Sequence, residues 1–328
     1  MRSRTLLSIV LLLAVVAPGP GAAEQGPKLT KIGLLTPSTQ TNAAAFVQAF
    51  RHGLRELGHV EGKTFVLEVR YGEGKFERIP EIARELVGLK ADVIVASTDP
   101  GIAAVRRETG TIPIVMAYST DPVGTGFVAS LAHPGGNVTG LSNVSPEMSG
   151  KRLGLLREVV PGLSRVAVLW SPDIRGAVFE YRETEAVARS LRLELQSLEV
   201  SSIADLDRAF STMTSQRAQA LILLPGNAIA VSKRADIVAF TLRNRLPSMY
   251  AAKEYVEDGG LVSYGPSIPA MYHRAATYVD KILKGAKPAD LPVEQPITFE
   301  LAINLKTARS LGLTIPQSFI QRADKVIQ

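Results

Sequence analysis

The sequence contains no cysteine, a single tryptophan and only 6% aromatic residues. Without cysteine there can be no disulfide framework, thiol nucleophile, cysteine-ligated zinc site, iron–sulfur cluster or cysteine-linked lipid anchor. With 46% apolar and 21% charged residues, the chain is neither a disordered nor a collagen-like protein. Its 328 residues exceed what one ordinary hydrophobic core accommodates, so we expect two domains.

The chain also lacks long runs of one charge. It has 37 Lys and Arg residues against 31 Asp and Glu residues, a net charge of +6. No block of five like charges occurs, and no basic stripe is interleaved with aromatic residues. Nucleic-acid binding proteins usually carry such a patch, so we expect no nucleic-acid partner.

Residues 1–23 are typical of a secretory signal peptide. Arg2 and Arg4 precede an apolar run over residues 6–17, and small residues follow as far as Ala23. The run is shorter than the roughly 20 residues needed to cross a hydrocarbon core, which favours a cleaved leader over a membrane anchor. With cleavage near Ala23 and no cysteine to carry a lipid, we expect a periplasmic protein that is not a lipoprotein.

Short continuous apolar runs alternate with amphipathic helical patterns from residue 31 onward. The runs cover residues 32–35, 93–96, 114–117, 166–170 and 221–224. Continuous rather than alternating apolar runs are typical of strands buried on both faces of a parallel sheet. The alternation with helices therefore predicts doubly wound α/β layers.

The order of these elements occurs twice. KIGLLTP, TFVLEVRY, DVIVAST and IPIVMAY form one set, and RVAVLWSP, LELQSLEV, ALILLPG and LPSMYAA form the other. The spacing from Ile32 to Pro113 equals that from Val166 to Pro247, although no repeat is visible residue by residue. We therefore predict two doubly wound parallel-sheet lobes of similar architecture, joined by a hinge of several strands.

The expected division places the N-terminal lobe at residues 29–142 and the C-terminal lobe at residues 143–264. A segment near residues 266–290 is expected to return to the first lobe, and one near residues 297–328 to the second. The connection between lobes is expected near residues 138–143, after a Pro-Gly-Gly turn. The segment LVSYGP and the elements after it are expected to have no counterpart in the first set.

Ligands of open parallel sheets bind beyond the carboxyl ends of the strands. The candidates in those loops, and near the hinge, are Ser38, Thr39, Ser97, Thr98, Asp99, Tyr118, Ser119, Asp121, Ser171, Asn227, Glu254 and Tyr264. The hydroxyl groups can simply cap helices, or together with helix N-termini they can hold a ligand carboxylate. Asp121 or Glu254 can pair with an ammonium group, and the aromatic residues can enclose a flat side chain.

Other motifs give no support for catalysis. GHVEGKT and GTGFVA resemble phosphate-binding and dinucleotide-binding loops but stand in the wrong place relative to their strands. The four histidines, His52, His59, His133 and His273, are scattered without metal-ligand spacing, and no GxSxG motif occurs. We therefore expect no catalytic residues, no metal and no cofactor.

Several strings together resemble one known family. They are LRELGHVEGKTFVLEVRYGEG, IPIVMAYSTDPVGTGFVASLAHPGGNVTGLSN, GKRLGLLREVVPGLSRVAVLW, GGLVSYGP and YVDKILKGAKPADLPVEQPITFELAINLKTARSLGLTIP. They are similar to the ABC-transporter substrate-binding proteins whose better-known members bind tryptophan and tyrosine. The resemblance covers nearly all of the chain after the leader. It implies a type I periplasmic binding fold, delivery of solute to a membrane permease, and no enzymatic activity.

The resemblance also places ligand-contacting loops around Thr98, Asp121 and Asn227. One position departs from the family pattern, because Asp99 stands where a small or uncharged polar residue is usual. A carboxylate there would repel a ligand carboxylate or require a more cationic ligand.

The expected function is capture of a small polar ligand, an amino acid or related compound, between two lobes of a monomer that delivers it to an ABC permease in the inner membrane. A periplasmic sensor module that presents its ligand state to a membrane receptor needs the same cleft and stays an alternative. A hydrolase lacks a nucleophile–base pair in the sequence. A DNA-binding regulator is disfavoured by the leader and by the absence of a helix-turn-helix before residue 31.

Overall fold

The computed structural model describes residues 29–143, 147–296 and 299–328. The predicted signal peptide of residues 1–23 lies outside the described residues. Within the described ranges, no helix has the length and apolar character needed to cross a membrane.

Strands and helices alternate along most of the chain. The strands are β1 (Thr30–Thr36), β2 (Phe65–Tyr71), β3 (Val93–Ser97), β4 (Ile114–Ser119), β5 (Val138–Ser142), β6 (Arg165–Trp170), β7 (Glu194–Glu199), β8 (Ala220–Leu223), β9 (Ser248–Tyr250), β10 (Val262–Gly265), β11 (Glu300–Asn304) and β12 (Lys325–Ile327). The helices are α1 (Gln40–Glu56), α2 (Ile79–Gly88), α3 (Asp99–Glu108), α4 (Glu147–Val159), α5 (Arg175–Ser190), α6 (Ile203–Ser215), α7 (Ala228–Ser232), α8 (Arg234–Arg243), α9 (Glu254–Glu257), α10 (Ile268–Leu283), α11 (Leu305–Ser310) and α12 (Gln317–Arg322). Short 3₁₀ turns cover Phe76–Arg78 and Pro288–Asp290.

The strands form two sheets, one in each lobe. The first is parallel and has the order β2-β1-β3-β4-β5. The second has the order β12-β11-β10-β9-β8-β6-β7, in which β11 runs antiparallel to β10 and the other neighbours are parallel. The orders β2-β1-β3-β4-β5 and β7-β6-β8-β9-β10 correspond strand for strand, which confirms the predicted pair of similar α/β lobes.

Two expectations about the ends of these sets are wrong. Residues 138–142 form β5 rather than the connection between lobes, and β10, expected to have no counterpart, takes the place of β5 in the second sheet. Strand β5 is not evident from the short sequence VTGLS, because the backbone at Gly140 packs against the backbone of the neighbouring strand. Gly140 has φ +129°, and a Cβ there would lie 2.3 Å from the Met116 carbonyl oxygen.

Helix α10 leaves the second sheet and packs along α1 of the first lobe. Gly53 allows this close crossing, because a Cβ at that position would lie 2.6 Å from the His273 carbonyl oxygen. The chain then returns to the second sheet as β11. It therefore passes between the lobes after β5, after β10 and before β11.

Each sheet separates two apolar clusters, as expected for strands covered on both faces. In β1, Ile32 and Leu34 belong to the cluster that includes α1 and α10, whereas Leu35 belongs to the cluster on the opposite face. The second sheet divides its core in the same way. With the strands fixed in this way, loops at their carboxyl ends from both sheets line the cleft between the lobes.

Candidate functional site

A cavity lies between the two lobes and offers approximately 780 Å³ of empty space, including its opening. The first lobe lines it with Ser38, Phe46 and Tyr118, and the second with Asn227, Arg234, Glu254 and Tyr255. Asn143, Arg152, Pro266 and Ile268, close to the points where the chain passes between lobes, complete much of the wall. A ligand in this space would contact both lobes.

The lobes are closed over the cavity. Arg175 of α5 donates a hydrogen bond from Nη1 to the Gly124 carbonyl oxygen of the first lobe, at 2.5 Å. Gly176 sits against Thr120, and a Cβ on this glycine would lie 2.4 Å from the Thr120 Cβ. These contacts join α5 to the loop that follows β4.

Glu254 supplies the cavity with a carboxyl group that is not paired with a cation among the described residues. It begins α9, and burial raises the pKa of its carboxyl. The nearby cations are held elsewhere: Lys253 Nζ donates to Glu300 at 2.7 Å, and Arg234 Nε donates to Asp258 at 2.5 Å. No described residue forms a salt bridge with Glu254. Its carboxylate is therefore available to a cationic group of a ligand.

Arg152 supplies a buried guanidinium with one donor group to spare. Its side chain is only 2% exposed, with Nη1 donating to Glu180 Oε2 at 2.8 Å and Nε to the Tyr264 carbonyl oxygen at 2.9 Å. Burial raises the pKa of the Glu180 carboxyl, and the guanidinium opposes that rise. Among the described residues, none accepts a hydrogen bond from Nη2. Charge-assisted bonds of such a group to a carboxylate are strong, so the cavity can hold an anion here.

Aromatic rings form the apolar part of the wall. Phe46 stacks on Tyr272 with centroids 5.5 Å apart, and Tyr118 meets the same ring edge-on at 6.4 Å. Tyr255 stacks on Tyr250 at 4.6 Å. Burial raises the pKa of Tyr118 and of Tyr255, so both phenols are neutral at ordinary pH. Rings fixed by other rings make a preformed pocket for a flat apolar group.

Thr98 and Ser38 offer buried hydroxyls beside the cavity. Both line a smaller pocket that shares Phe46 and Tyr118 with the main one. Neither hydroxyl oxygen has a hydrogen-bond partner in the part of the chain that the structure describes. Thr98 also has φ +64° and ψ 150°, a conformation that costs a non-glycine residue free energy. Strained residues with unpaired polar atoms are typical of ligand-contacting loops.

The residues predicted from the sequence divide into two groups. Ser38, Tyr118, Asn227 and Glu254 line the main cavity, Thr98 lines the adjoining pocket, and Ser171 lines another pocket that also includes Asn227. Asn227 is itself committed to the fold, because its Oδ1 accepts from Ala230 N at 3.1 Å and its Nδ2 donates to the Val200 carbonyl oxygen at 3.0 Å.

The other predicted residues line none of these three pockets. Thr39 caps α1 by accepting from Asn42 N, Ser97 is buried at the end of β3, and Tyr264 offers its carbonyl to Arg152. Asp99 Oδ1 accepts from Ser119 Oγ at 2.6 Å and Thr120 N at 3.0 Å, while Asp121 Oδ1 accepts from Gly124 N at 2.8 Å. Through Oδ1, the carboxyl of Asp99 therefore joins the start of α3 to the loop that follows β4. The expected repulsion of a ligand carboxylate by Asp99 stays a prediction.

Sequence reasoning missed Phe46, Asn143, Arg152, Arg234 and Tyr255. For Arg152 a signal is present. Met148, Leu155, Leu156 and Val159 mark the buried stripe of α4, and Arg152 lies in the same stripe at helical spacing. A charged residue on a buried helical face needs a partner or a function.

Comparisons with known proteins all point the same way. The family model for ABC transporter substrate binding protein matches residues 31–327. The Tyrosine-binding protein of Clostridioides difficile strain R20291 is 24% identical over 277 residues, which are 84% of this chain and 78% of that protein. A crystal structure of an ABC domain in complex with L-Trp from Streptococcus pneumoniae has a TM-score of 0.85 and 28% identity, covering 92% of this chain and 100% of the other. A conserved domain protein from Vibrio cholerae has a TM-score of 0.85 and 29% identity, covering 91% and 100%.

Proposed function

The chain belongs to the family of ABC transporter substrate-binding proteins, and we propose that it captures an aromatic amino acid between its lobes and delivers it to an ABC permease. It is a binding protein of the type I periplasmic fold rather than an enzyme. The predicted leader is the basis for proposing that it works in the periplasm. One relative is named a tyrosine-binding protein, and the structure of another is a complex with L-Trp. Both are consistent with this ligand class.

The observation that carries the proposal is the pairing of available opposite charges with aromatic walls in one cavity. In the proposed pose, the ligand ammonium group lies at Glu254 and its carboxylate at Nη2 of Arg152. The aromatic side chain then lies among Phe46, Tyr118 and Tyr255. A zwitterion with a flat side chain satisfies all three parts of the wall.

Closure follows from the division of these contacts between the lobes. Phe46 and Tyr118 belong to the first lobe, and Glu254 and Tyr255 to the second. The ligand meets both sets only when the lobes are together, so its higher affinity for the closed state shifts the equilibrium toward closure. In the proposed transport cycle, the permease recognises this closed form.

The ligand class can be tested with the exported chain purified free of bound solute. L-Trp, L-Tyr and L-Phe are expected to raise its melting temperature, because a ligand at 100 times its Kd stabilises by about 2.7 kcal/mol. Small-angle scattering should show compaction with the same ligands. Sugars serve as the control class. Stabilisation by sugars alone, or by none of the twenty amino acids, would overturn the proposal.

The variant Gly176→Ala is expected to weaken ligand binding by about 1–3 kcal/mol, the usual cost of overpacking a close contact. The added methyl group would meet Thr120 only when the lobes close. The stability of helix α5 itself should not decrease, since alanine is more favourable than glycine in a helix by up to about 1 kcal/mol. Calorimetric titration with the best amino acid from the screen measures the effect.

Gly154→Ala is the matched control, because Gly154 also lies in a helix but a Cβ there would have no neighbour within 4 Å. Equal affinities for both variants and the unchanged protein would show that the contact between Gly176 and Thr120 does not form in the liganded state.

A further inference from the structure

We propose that His52, Glu56 and His273 form a binding site for a divalent transition-metal ion of the zinc type. His52 and Glu56 lie one turn apart near the end of α1, and His273 lies on α10. One ligand atom from each of the three side chains lies within 4.8 Å of the others. The cluster is on the surface of the first lobe, and none of its members lines the cavity between the lobes.

The fold brings these side chains together through the close crossing of α1 and α10. Gly53 sits at the crossing, where its missing side chain lets the α10 backbone approach at His273. After α1 ends at Glu56, His59 Nε2 is 2.9 Å from Asp280 Oδ1 of α10, which joins the segment after α1 to that helix. The chain around Glu56 is therefore held against α10 at Gly53 and again at His59. His273 is 217 residues from Glu56 in sequence, which is why spacing along the chain did not reveal the site.

The distances suit a small divalent ion. His52 Nδ1 is 3.4 Å from Glu56 Oε1, and His273 Nε2 is 2.8 Å from Glu56 Oε2. Tetrahedral zinc with bonds of about 2.0–2.1 Å keeps its ligand atoms about 3.4 Å apart. The first pair already has that separation. The other pairs lie within 4.8 Å, so side-chain rotations would have to bring all three ligand atoms to it. The side chains are 41–59% exposed, so water can reach the fourth position.

The chemistry of the three groups selects the metal. Two imidazoles and one carboxylate suit zinc, copper or nickel, whereas magnesium and calcium prefer sites made of oxygen ligands. Glu56 is also free of competition from Arg51 on the same helix, because Arg51 donates to Glu61 at 3.0 Å. The carboxylate therefore offsets part of the charge of a bound ion.

Calorimetric titration of the exported chain with ZnCl₂, without a histidine tag, tests the site. We expect one zinc ion per chain and a visible absorption spectrum of tetrahedral type when Co²⁺ is used instead. Loss of an outer partner of a metal ligand costs about 10–100-fold in affinity, so losing a ligand in His273→Ala or Glu56→Ala should cost at least that much. MgCl₂ should give no comparable binding.

His133→Ala is the matched control, because His133 is an exposed histidine of the same lobe outside the cluster. If His273→Ala disturbs folding, His52→Ala provides the same test, since His52 is 59% exposed and its ring lies near only the other two members of the cluster among the contacts of the described residues. Absence of zinc binding overturns the proposal. So does binding that is equally strong in the unchanged protein and in all three cluster variants.

Discussion

Arg152→Met is expected to lower the free energy of unfolding by about 3–5 kcal/mol, the usual cost of leaving one partner of a buried ion pair alone. Glu180 is 1% exposed and would keep its carboxyl in the core without the guanidinium. The Tyr264 carbonyl would lose its donor at the same time. Urea denaturation of the ligand-free protein measures the loss.

The double variant Arg152→Met with Glu180→Met should recover most of that stability, because an apolar pair of similar volume can replace a buried ion pair at little cost. The exposed i,i+4 pair of Arg189 and Glu185 on the same α5 supplies the control, since Arg189→Met should change stability by no more than about 0.5 kcal/mol. A loss in Arg152→Met as small as in the control would show that the pair is not isolated from water.

The stability deficit of Arg152→Met relative to the unchanged protein should also depend on pH. Without Arg152, burial raises the folded-state pKa of the Glu180 carboxyl still further above its unfolded value. The protonated folded form is favoured below that pKa, so the deficit should shrink as the pH falls and grow as it rises through the folded pKa. A deficit that stays constant as the pH is lowered toward the ordinary range of a glutamate carboxyl would argue that Glu180 stays ionised and finds another partner.

The two lobes could be predicted from the sequence because most strands are buried on both faces and therefore form continuous apolar runs. Residues 32–35 and 93–96 form short continuous apolar runs, and their alternation with helical patterns favours strands of a covered parallel sheet. Strand β5 was missed because its sequence VTGLS has no continuous apolar run, since Gly140 stands where the strand lies against the Met116 backbone. Backbone approach of this kind depends on a partner distant in sequence, here Met116, and local patterns do not contain it.

The candidate site was predicted less completely for a similar reason. Strand-end position identified Tyr118 and Glu254, but it could not separate them from Asp121, whose carboxylate accepts from Gly124 N three residues later. A polar residue in a loop can satisfy backbone groups nearby or face a ligand, and the sequence looks the same in both cases. Phe46 and Arg152 were missed because they lie within helices, where position relative to a cleft depends on tertiary packing.

Glu254→Gln is expected to weaken binding of an aromatic amino acid by about 2–5 kcal/mol, because it removes the partly buried anion proposed to pair with the ligand ammonium group in the closed cavity. The amide keeps the shape of the side chain and leaves the aromatic walls unchanged. A ligand analogue without the ammonium group should bind the variant and the unchanged protein alike. Calorimetric titration of both ligands against both proteins isolates the charge pair from the rest of the cavity.

The pH dependence provides an independent measurement of the same contact. Burial raises the pKa of Glu254 in the free protein, whereas a bound ammonium group favours the ionised carboxylate. Affinity should therefore fall as the pH is lowered through the raised pKa, and the glutamine variant should lack this dependence. Glu185→Gln on α5 is the control, since Glu185 is exposed, pairs with Arg189 and does not line the cavity. If Glu254→Gln keeps the affinity of the unchanged protein, the ammonium group binds elsewhere, and the proposed orientation of the ligand is wrong even where capture between the lobes stands.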